Sequence, residues 1–463
     1  MDQTSIERLK DYLAQLPPKS QALLMREFER ALERGEDAAV AHLVLGELRR
    51  IGPRSSDGER CGEDPARHLF RPLEPFLVED SLAPRAGQIR RGSLMPVWQW
   101  LTREGAPDAA CAFEAVLAAE TGSASAIEAA ARTFQPVAAA AIQRILTDGS
   151  GINRQRTLGR IGAPGVVEDL PAIAAVLHAR EALDTLNIRL QGFLSVFGEP
   201  QIASLMTALN VPSLQTPEAL PFALSLVMQR LSASWQIIRL AVRVAGSDDE
   251  IRVAATPYGV AVKMALDDLS QTSAVLQADI RRDRFDNTSQ HLKTLHDGVR
   301  GLRTELDIRA DSIWGRQLAA IRVDISEVLQ SEIKGVAGRV RRLLRQRPDK
   351  DIPAGAKLDP IEVEETAALI GFVAVCRTYA SELAINEVTT RTYSDLQHYV
   401  ERTAETLVEA LRNGDERVRA FRQQQVKAVI RFCEVLFGPD YSSLMSRAAD
   451  QALTVERKSS RAG

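Results

Sequence analysis

Apolar residues recur at helical spacing through most of the chain. The strongest stretch runs from Phe285 to Arg347 and meets no proline until Pro348. Between His291 and Leu306 the apolar positions are Leu292, Leu295, Val299, Leu302 and Leu306. Their steps of three, four, three and four residues are those of a heptad packing seam. Beyond Leu306 the apolar set is Ala310, Ile313, Ile321, Ile325, Val328, Ile333, Val336, Val340 and Leu343. This set drifts toward the 3.6-residue period of a helix packed in a globular core. The regular heptads are too few for a free-standing coiled coil. The pattern predicts one or two long helices in an antiparallel bundle, with a break near Gly298–Gly301 or Asp311–Gly315.

The flanking sequence predicts further helices. Residues 1–51 read as a module of three short helices, in which Pro17 and Pro18 separate the first from the second and Gly35 closes the second. Residues 52–64 are polar and glycine-rich, a linker. Residues 65–245 form an alanine-rich helical domain. Within it, prolines at 72 and 75 forbid a continuous helix over Leu69–Leu77, and alternating apolar residues predict an extended segment there. Two alanine-rich helices follow over Pro107–Leu146, the second kinked or divided at Pro136. A loop from Gly149 to Gly165 carries one apolar turn at Leu158 and Ile161. Helices then resume over Val166–Phe197, Pro200–Leu209 and Pro217–Ala245. Residues 246–347 make a long-helix bundle region, opened by the turn Ser247–Glu250 and a helix over Tyr258–Arg282. Residues 348–358 are a second linker. A C-terminal bundle covers residues 359–455, with helices at Pro360–Asn386, Thr392–Asn413 and Asp415–Phe437 and a last one from Pro439. Gly414 and Gly438 stand at C-cap positions. Residues 456–463 read as a disordered tail.

Composition points the same way. The chain is 45% hydrophobic but only 5% aromatic, and alanine and leucine dominate. These residues favour helices, and no alternating β-branched run is present. The predicted fold class is all-α: multi-helix bundles with long antiparallel helices and no β-sheet of consequence. No repeat of 30–50 residues recurs.

Charge narrows the function. The formal net charge is −3, from 58 basic and 61 acidic residues, which gives no global attraction to nucleic acid. Only nine of the basic residues are lysine, as expected of a GC-rich bacterial genome whose codons favour arginine and alanine. Cys61, Cys111, Cys376 and Cys433 are widely spaced and mostly in apolar helical contexts, which predicts buried free thiols in a reducing cytoplasm. The N-terminus lacks the apolar core of a signal peptide, and the longest apolar run, Ala367–Cys376, is too short to span a membrane.

Two local clusters carry candidate chemistry. The stretch Leu295-His296-Asp297-Gly298-Val299 resembles the phosphoacceptor box of one subclass of sensor histidine kinases. The resemblance covers five residues. It implies that His296 accepts a phosphoryl group and that Asp297 is the neighbouring base. Nothing downstream matches that family's asparagine box or glycine-rich lid, so a kinase is excluded and a stand-alone phosphotransfer bundle is what the motif allows. The competing reading is a surface histidine beside the seam. The second cluster is Lys334, Arg339, Arg341, Arg342, Arg345 and Arg347 at a helix end. These cations suit phosphate groups or an anionic membrane surface. They also suit a solvated helix C-terminus, with Glu362, Glu364 and Glu365 nearby in sequence to neutralise them.

Metal and cofactor motifs are missing. The histidines His42, His68, His178, His291, His296 and His398 form no HExxH, HxxxH or Glu-x-x-His pattern, and Asp267-Asp268 lacks a further carboxylate. No phosphate loop, dinucleotide fingerprint or nucleophile elbow occurs. The expectation is therefore a non-catalytic helical scaffold or adaptor without metal or cofactor, working through protein–protein contacts and self-association. A helical enzyme or phosphotransfer protein is the first alternative, to be recognised by a pocket lined with convergent polar groups. Peripheral binding to anionic membrane or nucleic acid through residues 334–347 is the second.

Overall fold

The computed structural model describes Val44 and, from Asp64 to Ser459, every residue except 80–83, 120–122, 148–157, 191, 193, 195, 283, 286, 354 and 414–415. The N-terminal helices expected before residue 52 lie outside the described residues, apart from Val44, which is helical and buried. Of the described residues 79% are helical, and the only strands among them are two short parallel ones, so the fold is all-α. The chain divides into two compact units: Met1–Ser247 with Ile251–Met264, and Asp248–Glu250 with Ala265–Gly463.

Unit 1 begins its described part with α1 (Pro65–Leu69). Asp64 caps it, its carboxylate accepting from the Ala66 amide at 3.1 Å, and Pro65 suits the first helical position. The segment expected to be extended is instead a 3-10 helix, Arg71–Phe76. Prolines at 72 and 75 are spaced by the three residues of a 3-10 turn, and their fixed φ matches that helix. Two-residue strands β1 (Leu77–Val78) and β2 (Ile89–Arg90) then pair in parallel, Leu77 opposite Ile89. Helices α2 (Leu94–Trp100), α3 (Pro107–Ala118) and α4 (Ala124–Thr147) follow. Trp98, Phe113 and Phe134 meet edge-on or tilted at their junction. Pro136 does not divide α4. Phe134, Ala138, Ala139, Ala141 and Ile142 are all buried around it, and that burial outweighs one missing backbone bond.

The turn at Leu158 and Ile161 is helical, with Ile161 buried. The single helix expected over 166–197 is two: α5 (Pro164–His178) and α6 (Arg180–Arg189). After Leu190 the chain leaves helix, and Leu194 exchanges backbone hydrogen bonds with Arg230 and Ser232. α7 (Glu199–Leu209) lies as expected. The helix expected over 217–245 is divided into α8 (Leu220–Met228), a 3-10 turn at Ser234–Ile237 and α9 (Ile238–Ala245). The same strand-like exchange at Arg230–Ser232 interrupts it, because those backbone groups bond Leu194 rather than a helical turn. Gly246, at φ 61°, ends α9 in the left-handed region. A short α10 (Glu250–Ala254) leads to α11 (Gly259–Ile280), within which the unit boundary falls.

Unit 2 contains α12 (Thr288–Glu305), α13 (Ile313–Leu343), α14 (Pro360–Thr378), α15 (Asn386–Asn413), α16 (Arg419–Phe437) and α17 (Pro439–Ser459). Leu292, Leu295, Val299, Leu302 and Leu306 are all buried. Gly298 lies on the same face, where an added Cβ would meet the Leu269 methyls of α11 at 2.4 Å. α12 is therefore unbroken at Gly298–Gly301. The interruption falls at 306–312. There the Asp307 amide donates to the Asp248 carbonyl, and the Arg309 amide donates to the buried Glu250 carboxylate at 2.9 Å. Ser312 restarts helix by accepting from the Gly315 amide. Ala310 and Ile313, expected in the core, are exposed because they belong to this connection and the turn after it. Leu329 rather than Val328 completes the buried stripe of α13.

The helix expected over 360–386 ends at Thr378, and the next starts at Asn386, six residues before Thr392. Between them Ala384 adopts φ 55°, while Leu383 and Ile385 are buried. Two side chains of α13 hold this turn: Arg322 donates to the Glu382 carbonyl and Ser326 to the Ala384 carbonyl. α16 begins at Arg419 after a 3-10 turn at Glu416–Val418, not at Asp415. Gly438 caps it at φ 90°. α17 continues through Ser459, so the expected tail starts as helix, and residues 460–463 lie outside the described ones.

Two substitutions test the packing of unit 2. Leu302 is 0% exposed, so Leu302→Asp buries an unpaired carboxylate and removes apolar volume. Thermal melts should show a loss of about 2–5 kcal/mol. A helical Gly→Ala usually gains about 0.5–1 kcal/mol, but at Gly315 a Cβ would lie 2.0 Å from the Arg309 carbonyl oxygen. Gly315→Ala should therefore lower the melting temperature, whereas a rise would place the 306–312 connection differently.

Candidate binding groove

The expected site residues do not converge on one place. His296 is 14% exposed at its side chain and lies against Tyr379, ring centroids 5.5 Å apart. Its Nδ1 is 3.0 Å from the Asp297 carboxylate. The histidine is thus packed at the edge of the bundle rather than displayed on its surface. Within the basic cluster, Arg342 pairs with Glu362 at 2.7 Å, and Arg341 stacks over Tyr399 at 5.8 Å. Lys334 and Arg345 are exposed and Arg339 is half-buried. Glu364 pairs with Arg431 instead. The carbonyls of Arg345 and Arg347 receive hydrogen bonds from Gln425 and the buried Arg422, whose side chain is 6% exposed. The end of α13 is therefore fixed by its backbone, with its cations dispersed around it.

Among the described residues no three His, Cys, Asp or Glu side chains are grouped so as to hold a metal ion. No helix of the described residues is long and apolar enough to cross a membrane. Cys376 and Cys433 are free and buried, and Cys111 is free and exposed. Burial raises the Cys376 thiol well above its ordinary value. Burial, with the Glu401 charge adding, pushes Cys433 up to about 12. Cys61 lies outside the described residues.

Unit 1 contains a partly open groove of about 910 Å³. One wall is a single face of α4, formed by Ala124, Glu128, Ala131, Arg132 and Gln135, spaced as a helix requires. The opposite wall is α6, with Arg180, Glu181, Asp184, Thr185, Asn187 and Ile188. His68, Arg71, Pro72 and Pro75, from α1 and the 3-10 turn after it, complete the lining. Prolines in this turn restrict its backbone.

The charges of the groove are largely matched along each helix. Arg132 holds Glu128 one turn away, and Arg180, only 10% exposed at its side chain, holds Asp184 at 3.1 Å. The Arg132 hydrogen bond lowers the Glu128 carboxyl below its ordinary value, and the charges of Arg71 and Arg180 add to the effect. Thr185 donates to the Glu181 carbonyl. Gln135 is 3% exposed. Its Nε2 donates to the Leu69 carbonyl at 2.9 Å, and its Oε1 has no hydrogen-bond partner among the described residues. Ile188 is 84% exposed at the rim.

None of these groove residues stood out in the sequence. The i, i+4 pairs Glu128–Arg132 and Arg180–Asp184 were legible, but such pairs ordinarily mark a solvated face. No known family model matches the chain, and neither a curated protein nor a solved structure matches it.

The thiols give a test of this geometry. A thiol raised by burial stays protonated and inert at neutral pH. Native protein treated with iodoacetamide at pH 7.5 should carry label at Cys111 and none at Cys376 or Cys433, as read by peptide mass spectrometry. Denatured protein should label at all three.

Proposed function

We propose that the protein is a non-catalytic helical scaffold or adaptor, and that the groove between α4 and α6 is where unit 1 receives a partner. The observation that supports this reading is the pairing of the groove's charges beside an isoleucine left open at its rim. Glu128, held below its ordinary pKa, is a weak base. The one hydroxyl of the lining, Thr185, is turned to a backbone carbonyl, and the lining's one histidine, His68, has no cysteine, serine, lysine or tyrosine in the described lining to act on. Acid–base or nucleophilic catalysis would need a group poised near neutral pH beside a nucleophile. A polypeptide partner needs only shape, a few polar anchors and an apolar contact. Ile188 supplies the last of these. The three free thiols fit a reducing cytoplasm as the setting. Self-association belongs to the same reading, through surfaces of either unit.

A photo-crosslinking residue placed at Ile188, compared with one at exposed Ile361 in unit 2, tests the proposal in the native organism. The Ile188 position should give a discrete protein adduct that the Ile361 position does not. The same adducts from both, or none from Ile188, would remove the groove as a contact surface. Sedimentation velocity over a wide concentration range reads self-association separately.

A further inference from the structure

We propose that two copies of the protein pair along α13, antiparallel, with Asp324 and Glu327 of each copy meeting Arg345 and Arg341 of the other. This rests on the self-association part of the reading above and names the surface that would carry it.

The first observation is an exposed face that runs the length of the helix. Opposite its buried stripe, α13 leaves Asp324, Glu327, Ser331, Gly338 and Arg341 in solvent, spaced as one helix face requires, and Arg345 continues the face just past the last turn. The charges on this face are segregated. Asp324 and Glu327 are three residues apart, and Arg341 and Arg345 are four apart, so each pair sets like charges side by side. Neither acid has a cation three or four residues away in the helix, and neither arginine has an acid at that spacing within it. The side chains of Asp324, Glu327 and Arg345 make no hydrogen bond or ion pair with any described residue, and Arg341 only rests over the Tyr399 ring. The next cation, Arg342, is already taken by Glu362, and Arg316 stands two turns before Asp324.

The second observation is that this arrangement is self-complementary. Glu327 and Arg341 each lie seven residues from Lys334, and Asp324 and Arg345 lie ten and eleven from it. A twofold axis at Lys334 therefore sets each acid of one copy opposite an arginine of the other, as an isologous contact demands. Four like-charge contacts between helix neighbours are then relieved by four opposite-charge ones, and the two macrodipoles run in opposition.

The third observation lies at the axis itself. Gly335 and Gly338 are exposed, and an added Cβ on either would meet nothing within 4 Å. Glycine weakens an exposed helix interior relative to alanine, and nothing within the chain uses the space it leaves. Where two helices cross, that space admits the opposing backbone, and the stems of the two Lys334 side chains can lie along it while their ammonium groups stay in water.

Sedimentation velocity of the full-length protein over a wide concentration range should show a species of twice the 50.8 kDa chain mass. Asp324→Arg with Glu327→Arg makes the face wholly basic, and Arg341→Glu with Arg345→Glu makes its paired positions acidic. Each double variant alone should weaken the dimer about tenfold or more, and an equimolar mixture of the two should restore it as a heterodimer. All four positions are exposed, so circular dichroism melts should match the native protein; if a double variant does not fold, Glu327→Arg and Arg341→Glu singly make the same prediction. Direction is read by crosslinking, with Cys61 and Cys111 changed to serine. Lys334→Cys should form an intermolecular disulfide on mild oxidation, and Glu327→Cys should not, because antiparallel pairing holds the two copies of position 327 about 20 Å apart along the axis at about 1.5 Å per residue. Disulfides at both positions, or a dimer that neither double variant weakens, overturn the α13 contact while leaving self-association through another surface. A native protein that stays monomeric overturns the contact and self-association together, and leaves the groove to the Ile188 crosslink. A monomer that binds a single-stranded RNA 20-mer, and loses it in Arg341→Glu with Arg345→Glu, assigns these cations to nucleic acid and overturns the proposal.

Discussion

Every helix that stops inside a folded protein leaves backbone carbonyls and amides without partners, and burying them unpaired is expensive. In this protein, side chains from distant elements supply many of those partners. In unit 1, Gln135 donates to Leu69, the last residue of α1, Gln215 donates to Leu209 at the end of α7 six residues before it, and Arg239 donates to Phe197 in the connection before α7. Asp169, buried in α5, accepts the Arg90 amide, the Arg90 guanidinium and the Ser93 hydroxyl, and so ties the small parallel ladder to the helices. In unit 2, Glu250 accepts the Arg309 amide, Arg322 bonds Glu382, and Arg422 with Gln425 bonds the residues after α13.

The same device makes the groove. Gln135 is recruited to the Leu69 carbonyl because α1 ends there and the 3-10 turn begins. Satisfying that carbonyl uses one end of the amide and leaves the other end buried without a partner. Arg71, in the proline turn that follows Leu69 and Phe70, lines the same groove.

The helical nature of the chain was legible from composition and periodicity, because an apolar stripe at 3.6-residue spacing can be buried only as a helix. The seam positions Leu292 to Leu306 are buried as the heptad spacing suggests. The prolines at 72 and 75 marked an irregular segment, though not that it would be a 3-10 helix. What misled was continuity. Residues 190–197 and 229–237 have apolar content that continues the flanking helices, yet Leu194 pairs with Arg230 and Ser232 instead. The break at 379–385 holds no proline or glycine, and Ala384 takes a left-handed conformation that local sequence disfavours.

Local sequence therefore determined that the chain is helical and which face of each helix is apolar, since both follow from interactions within a turn or two of the chain. Tertiary structure alone decided where helices end and what fills the ends. Leu69 and Gln135 are 66 residues apart, Arg90 and Asp169 are 79, and Arg322 and Glu382 are 60. It also decided the groove, whose walls come from α1, α4 and α6 and whose residues look like ordinary surface charges until folding sets them facing one another. The physical reason is range: helix propensity and amphipathicity act over a few residues, whereas pairing a buried polar group requires a partner that only the complete fold brings within 3 Å.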